Sequence, residues 1–590
     1  MIETFDERLV VRIKNKAINP DSKKVAFTFN GKNLLGIQGD TIASALIDCG
    51  IYSCRETGTG NKRGVFCGMG VCNECAVGVD GREGELACMT YITENMKVST
   101  QGQYRKMPEV QEELPPEEVL VTDLLVIGAG PAGMSAAAVA AEAGQNVVMV
   151  DERGNAGGQY FKQPSKYFSV FERRLDKQFQ MGRKLISRVS NPRITTLPGS
   201  TIWGTFGLHN IQISNSSQRW KIESKNVLIA TGAFEKGMPI PGWTLPGVMT
   251  TGAAQTFLRS YQVAIGNNVA ISGNGPLNLQ MAAELVKAGV NVVALAETSK
   301  PLGFRNAIRS MQLFYYSPKL FIDGIKYMFV LGRARVPFIQ GAATTAFMGG
   351  ASVEQVRISK ISPHGIPLPE SHRDFDVDSV ALGFGFEPSN EIARSLGCSH
   401  SFDSKANMLT ADRDSFGRSS VSGVWIAGDS SGIAGAQVAM SEGIIAGYAM
   451  SLDNKYELSP MQIAEYHKAL KTRKRNIKFQ KILWRIFSGP NLHLQLSSHD
   501  TVICRCLSLT REEISADLQP DMRSAGALKR VNRAGMGKCQ GRYCSSFSTQ
   551  LISENTDEPL GEYSGFAPAV PYKPTAIGVI AYPAAGDYRE

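Results

Sequence analysis

The chain has no run of the roughly eighteen uncharged apolar residues that a membrane-crossing helix needs. Its best candidate, Leu313 to Leu331, is interrupted by Pro318, Lys319 and Asp323. The opening MIETFDERLVVRIKN carries two early acids and no apolar centre, so it does not read as a secretory signal. A cytoplasmic location is expected, with attachment to a membrane surface left open. There is no array of interleaved aromatic and basic residues, and the net charge of +9 is mild for 590 residues, so nucleic acid is not an expected partner. The basic residues are densest in KALKTRKRNIKFQKILWR, 468–485, which reads as a solvated helix face or a docking surface for an acidic partner or membrane. Histidine is scarce, seven in all; His209, His364 and His372 stand alone and suggest no catalytic set.

Against those absences, 59 glycines and 11 cysteines are conspicuous, and eight of the cysteines fall in two tight groups at opposite ends of the chain. A cytoplasmic protein seldom keeps stable disulfides, so such groups imply metal or redox sites. The length implies at least three domains. The expected boundaries are an N-terminal unit at 1–106, an acidic Pro-rich linker at 107–120 and a nucleotide-binding unit at 121–455. A second nucleotide fold is inserted in the last at about 245–385. A basic helical linker at 456–499, a C-terminal unit at 500–560 and a tail at 561–590 without functional signal complete the chain.

In the first unit, alternating apolar residues flank Asn30-Gly31, a hairpin signal, and Asp40 or Thr41 caps a helix that Gly50 ends. Cys67, Cys72 and Cys75 follow in C-x4-C-x2-C spacing, and Cys88 comes after twelve intervening residues, beyond a second hairpin at Asp80-Gly81. Three thiolates on one glycine-loosened loop and a fourth from beyond the next strand suit a 2Fe-2S cluster. A zinc site is the alternative, but paired C-x2-C knuckles and histidines are missing. Cys49 and Cys54 lie outside the pattern and read as small buried apolar residues.

The strand TDLLVIGAG runs into Gly128, Gly130 and Gly133, then an alanine-rich helix, then a strand ending at Asp151-Glu152. This is the dinucleotide fingerprint in full context: the glycines allow a tight turn, pyrophosphate rests on the helix N-terminus, and Glu152 is placed to accept from the adenosine ribose. Thr231 and Gly232 end a later strand, and Gly428-Asp429 follow another. A second strand–turn–helix–strand carries Gly273 and Gly275 and reaches Glu297, with Asn278 at the third glycine position. Three alternatives stay open for it: NAD(P), a nucleotide without redox use, or no ligand. Cys398 has no neighbouring partner, which argues against disulfide reductase chemistry.

Near the C-terminus Cys504 and Cys506 form C-x-C and Cys539 and Cys544 form C-x4-C, 32 residues apart. Thr510 and Glu513 form a capping box, a second helix spans 526–532, and Gly535, Gly537 and Gly541 loosen the ligand loops. Arg505, Lys538 and Arg542 would offset a cluster's negative charge or be solvated. A four-cysteine zinc site is again the alternative.

The N-terminal motif resembles the plant-type ferredoxin β-grasp domain. The pair C-x-C and GMGKCQGRYC resembles the helical 2Fe-2S domain of the bacterioferritin-associated-ferredoxin type. GAGPAGMSAA, AGGQYFKQ, PGWTLPGVMTTGAAQ, GNGPL and GDSSGIAGAQVAMSEG are similar to the large subunits of the hydrogen cyanide synthase, opine oxidase and dye-linked proline or hydroxyproline dehydrogenase group, over residues 122 to about 550; the sarcosine oxidase alpha chain is a more distant relative. The resemblance implies a multidomain α/β fold with a two-dinucleotide-binding, Rossmann-like FAD domain. FAD would be held through Thr231, Gly232, Gly428 and Asp429 besides the first fingerprint, and two 2Fe-2S clusters would accompany it. It further implies a small partner flavoprotein of the amino-acid oxidase type that oxidises a C–N bond, no catalytic residues being assignable here, and an electron acceptor that the residues do not identify. The competing expectations are a self-sufficient NAD(P)H-dependent reductase and an iron-release binding module.

Overall fold

The computed structural model describes residues 11–20, 23–102, 117–303 and 306–581. Of the expected linker, residues 107–116 lie outside that set, and 117–120 belong to a strand.

The N-terminal unit is a five-stranded sheet built on the two expected hairpins. Strands β1 (Lys24–Phe29) and β2 (Lys32–Ile37) turn at Asn30-Gly31, both in the left-handed region. Helix α1 (Ile42–Asp48) is capped by Thr41, whose side chain accepts from the Ser44 amide. Strands β3 (Ala76–Val79) and β4 (Arg82–Leu86) turn at Asp80-Gly81, and β5 (Lys97–Thr100) completes the order β2-β1-β5-β3-β4. Alternation along β1 puts Val25, Phe27 and Phe29 on the buried face, where Ile42, Leu46 and Ile47 of α1 cover them.

The second unit has two sheets. The first joins β6 (Glu117–Ile127), β7 (Val147–Asp151), β8 (Ile194–Pro198), β9 (Thr201–Thr205), β10 (Ile211–Ser214) and β11 (Arg219–Ile229) in the order β8-β7-β6-β11-β10-β9. Helix α2 (Pro131–Glu142) is the crossover between β6 and β7. The second sheet is wholly parallel: β12 (Val248–Thr250), β13 (Asn268–Gly273), β14 (Asn291–Glu297), β15 (Phe338–Gln340) and β16 (Ser379–Gly383), ordered β12-β16-β13-β14-β15. Between its strands lie α3 (Thr251–Thr256), α4 (Pro276–Lys287), α5 (Ala307–Tyr316) and α6 (Pro318–Arg333). The chain then returns to the first sheet as β17 (Val424–Ile426), parallel to β11.

Helix α7 (Ala436–Asp453) lies against α2 over small residues. A Cβ at Gly443 would stand 2.1 Å from the Ala132 carbonyl oxygen, and one at Gly447 2.4 Å from a Val139 methyl. That close approach explains the run of Ala, Ser and Gly on both helices. The expected basic linker is one 27-residue helix, α8 (Pro460–Ile486), opened by a Ser459–Gln462 capping box. Only part of its surface is solvated: Asn476, Phe479 and Ile482 are buried.

At the C-terminal end Val502–Cys504 pairs with Leu509–Thr510, followed by α9 (Arg511–Ala516), α10 (Ala525–Asn532) and α11 (Ser545–Thr556). The expected Thr510–Glu513 capping box opens α9. The tail's described residues, 561–581, fold back onto the preceding units. Phe566 fills the space over Gly535 and Gly541, Tyr572 and Thr205 share a hydroxyl hydrogen bond of 2.5 Å, and Lys573 reaches Glu152. Its Pro- and Ala-rich composition hides three anchors that only tertiary contact reveals. Among the described residues no helix is long and apolar enough to cross a membrane.

Two outcomes are expected. Gly443→Ala forces a methyl into the α2–α7 contact and costs about 1–3 kcal/mol; thermal unfolding should show a lowered Tm and loosened flavin. His493 is 3% exposed, and burial, with Lys236 nearby, lowers its pKa to about 3. The folded pKa lies below the free value of 6.5. The neutral ring's stability is therefore present above pH 6.5 and is lost as pH falls toward 3. Denaturant melts of His493→Gln across that window should show a shallower pH dependence than the parent.

Candidate functional site

The sequence motifs converge on one cavity of about 1390 Å³ between the two sheets. It exceeds the roughly 300–1,000 Å³ of a single-ligand cleft. The turn between β6 and α2 forms its first wall: Gly128 sits at φ +107°, and a Cβ at Gly133 would stand 1.8 Å from the Gly128 carbonyl oxygen. Here glycine is required for the turn and for the helix to approach its own strand. Gly130 lines the cavity at the N-terminus of α2, where free amide groups and the helix dipole favour an anion. Asp151 accepts from the Ala129 amide at 2.6 Å and so braces the turn, leaving the next residue, Glu152, to face the cavity. Glu152 accepts from Lys573 at 2.8 Å, and its carboxyl is held below the usual range despite burial, because Lys573, Arg542 and Arg153 surround it.

Thr231 and Gly232 line the same cavity, the Thr231 hydroxyl donating to the Ser389 carbonyl. Asp429 lines it too and accepts from the Ala434 and Gly435 amides, both at 3.0 Å, which fixes the loop leading into α7. Gly428 is packed on Ala132 and Ala439, which links that loop to both helices.

Two residues that the sequence did not single out face the cavity where α3 borders it. Lys162 is 4% exposed and donates to Gln255 at 3.1 Å; burial lowers its pKa to about 7. Glu235 is 6% exposed and accepts from the Gly252 amide at 2.8 Å; burial raises its pKa to about 7, and its second oxygen has no partner. A lone lysine in AGGQYFKQ and a glutamate after ATGAF carry no local motif, so only the fold could reveal them.

The second nucleotide fold differs at its turn. Asn278 is buried; its amide donates to the Gly383 carbonyl at 2.9 Å and its oxygen accepts from Thr251 at 2.8 Å, so it joins α4 to β16 and α3. Glu297 is 1% exposed. One oxygen accepts from Asn274, the Ser299 amide and the Ser299 hydroxyl; the other accepts from the Gly275 amide. It thus does for this turn what Asp151 does for the first, and the position matching Glu152 is Thr298. Gly273 is close-packed on the Gly383 carbonyl, and Gly275 faces the rings of Trp484 from α8.

The N-terminal cysteine loop lies against α3. The Phe66 carbonyl accepts from the Thr250 amide at 2.8 Å, Gly68 touches Ala253, and the Gly68 carbonyl accepts from Arg153 at 3.3 Å. Met69 and Val71 reach the cavity wall. All four cysteines are buried; the Cys67 sulfur accepts from the Met69 amide at 3.5 Å and the Cys72 sulfur from the Glu74 amide at 3.4 Å. At the other end Cys504, Cys539 and Cys544 are buried and Cys506 is partly exposed. Cys54 is buried in the same core as Cys75 and Cys88, Cys398 is buried elsewhere, and Cys49 is partly exposed. His209, His364 and His372 are on the surface.

Residues 22–103 match the 2Fe-2S iron-sulfur cluster binding domain family, and residues 122–318 match the pyridine nucleotide-disulphide oxidoreductase family. The chain is an FAD and iron–sulfur oxidoreductase. It is similar to the A-type subunit of the opine oxidase of Rhizobium meliloti, 29% identical over 468 residues that cover 78% of this chain and 87% of that one. It is also similar to the HcnB subunit of the hydrogen cyanide synthase of Pseudomonas aeruginosa, 29% identical over 73% of this chain and 93% of that one. The sarcosine oxidase alpha chain of Rhizobium meliloti is 24% identical over 65% of this chain and 42% of its own length. The fold of this oxidoreductase is that of L-proline dehydrogenase from P. horikoshii, with a TM-score of 0.71 at 21% identity, covering 97% of this chain and all of that one.

Gly68 adopts φ +59°, and a Cβ there would meet Ala253 at 2.9 Å. Gly68→Ala combines left-handed strain with overpacking, roughly 2–5 kcal/mol together. The expected result is loss of iron from this loop with flavin retained, read from iron and flavin content per chain.

Proposed function

We propose that the chain is the electron-relay large subunit of a dehydrogenase or oxidase complex that acts on C–N bonds of amino acids, imino acids, glycine or opines. In this reading Cys67, Cys72, Cys75 and Cys88 hold one 2Fe-2S cluster, and Cys504, Cys506, Cys539 and Cys544 hold a second in the C-terminal helical unit. A separate flavoprotein of the amino-acid oxidase type removes the substrate's hydride. The relatives named as subunits of opine oxidase, hydrogen cyanide synthase and sarcosine oxidase support a multisubunit assembly. The observation that carries the relay is α3. Its Gly252 and Gln255 face the flavin-sized cavity, while its Ala253 touches the N-terminal cysteine loop.

FAD, when bound, takes up two electrons together and releases them singly, and each cluster takes one. The residues do the rest. The amides at the start of α2 receive the pyrophosphate, Glu152 accepts from the adenosine ribose, and Asp429 holds the loop that turns the start of α7 toward the cofactor. Lys162 and Glu235, both buried against the cavity, where burial lowers the first's pKa and raises the second's, hold the proton that accompanies flavin reduction. The tail closes the adenosine end, with Lys573 on Glu152.

Two features favour the relay over a self-sufficient NAD(P)H reductase. The oxygens of Glu297 are taken up within the second turn, and Thr298 offers no carboxylate to a ribose. Trp484 stands over Gly275, and the Phe487 carbonyl accepts from Asn274, so α8 covers the turn where a pyrophosphate would rest.

Tagged purification from the native host tests the proposal. The expected product is a stoichiometric complex with a second flavoprotein and about four irons per copy of this chain. A lone chain bleached by NADH would instead establish the reductase. Cys539→Ser should remove about two irons and leave FAD and the N-terminal cluster's spectrum in place; unchanged iron would refute the C-terminal assignment.

A further inference from the structure

The two cysteine loops lie far apart in sequence yet share one core, which contains Phe66, Cys67, Cys72, Trp243, Cys539 and Tyr543. At its centre is Glu74, between Cys72 and Cys75 and 1% exposed. Its carboxylate receives Arg55 at 2.7 Å, Arg505 at 3.2 Å and Arg63 at 3.7 Å. Arg505, between Cys504 and Cys506, is 4% exposed. Its guanidinium carbon lies 4.0 Å from the Phe66 ring centre and 4.6 Å from that of Trp243, and it donates to the Trp243 carbonyl at 2.8 Å.

Two buried arginines, Arg63 and Arg505, and the partly buried Arg55 against one buried carboxylate leave an excess of positive charge in the seam. The Nε groups of Arg63 and Arg505 have no hydrogen-bond partner. Burying such charge is expensive unless anions lie close by. A 2Fe-2S centre with four thiolates carries about two negative charges when oxidised and gains another on reduction.

A second contact crosses the same seam. Tyr543, between Cys539 and Cys544, packs edge-on against Phe66 with ring centres 5.2 Å apart. Its hydroxyl is buried and has no partner. Phe66 immediately precedes Cys67, and Cys67, Cys72 and Tyr543 belong to the same buried cluster. An unpartnered phenol in such a place costs about 1–3 kcal/mol unless it finds an acceptor.

We propose that Arg505 and Tyr543, carried by the C-terminal cysteine loop, set the reduction potential of the N-terminal cluster. Arg505 does so as a positive charge clamped on Glu74, and Tyr543 as a hydrogen-bond donor to a sulfur of the Cys67–Cys72 side. Both stabilise the reduced, more negative form and raise its potential. They are positioning residues, acting on the cluster through its sulfurs and its field. The proposal needs only the N-terminal cluster and stands whether or not the C-terminal cysteines hold a second one.

The test is an EPR-monitored redox titration of the full chain, with Cys72→Ser identifying the N-terminal signal. Tyr543→Phe removes one oxygen and should lower that signal's midpoint, with a change of at least tenfold in the reduced-to-oxidised ratio at fixed potential, about 59 mV. Arg505→Met should lower it as well, and Arg505→Lys, which keeps the charge, should restore most of the loss. An N-terminal midpoint unmoved in Tyr543→Phe and Arg505→Met, with iron content intact, would overturn the inference. If Arg505→Met does not load iron, Tyr543→Phe decides alone. Two irons per parent chain would refute the second cluster without touching this result.

Discussion

Glu74 is the carboxylate on which the arrangement of the redox centres depends. It lies in the N-terminal cysteine loop, and it forms ion pairs with two arginines from its own unit and with Arg505 from the other end of the chain. An ion pair so deeply buried contributes little net stability, because desolvation offsets its Coulomb energy. What it provides is geometry. Arg505 can satisfy Glu74, the Trp243 carbonyl and two ring faces at once in only one orientation, and a planar guanidinium does this where an ammonium would not. The C-terminal unit is thereby held against the ferredoxin-like one, and both border the flavin cavity, the first through Arg542 and the second through Met69 and Val71.

The cavity follows from the same economy of space. Small residues let α2 and α7 approach closely, so the two ends of the flavin domain meet at one seam: Gly128 and Gly130 from one, Gly428 and Asp429 from the other. Helix α3 forms part of the cavity wall with Gly252 and Gln255, where Glu235 and Lys162 bond to it, and touches the N-terminal cysteine loop with Ala253. A two-electron cofactor on one side of such a wall and a one-electron centre on the other need no moving part between them.

Much of this was legible in the sequence, and the reason is locality. C-x4-C-x2-C, C-x-C, the Gly128–Gly133 turn and the Thr510–Glu513 cap are each set by residues within a few positions of one another. So were the hairpins at Asn30-Gly31 and Asp80-Gly81. The charged residues were harder. Arg505 and Arg542 could be read as cluster neighbours or as solvated, and only tertiary structure shows Arg505 on Glu74 and Arg542 on Glu391. Glu297 looks like a ribose acceptor by spacing, yet a one-residue offset from Glu152 turns it inward onto its own turn. The stretch 456–499 reads as a basic linker because its exposed residues dominate the composition, whereas Phe479, Leu483 and Trp484 line the cavity. The tail gave no signal because its three anchors, Phe566, Tyr572 and Lys573, are spaced without period.

The central claim is that one flavin and two separate one-electron centres share this chain, and a stoichiometric reductive titration tests it most directly. Anaerobic dithionite should be taken up to about four electrons per chain, two by the flavin and one by each cluster, with two distinguishable iron–sulfur signals at the end point. An end point at about three electrons with a single signal would contradict the account.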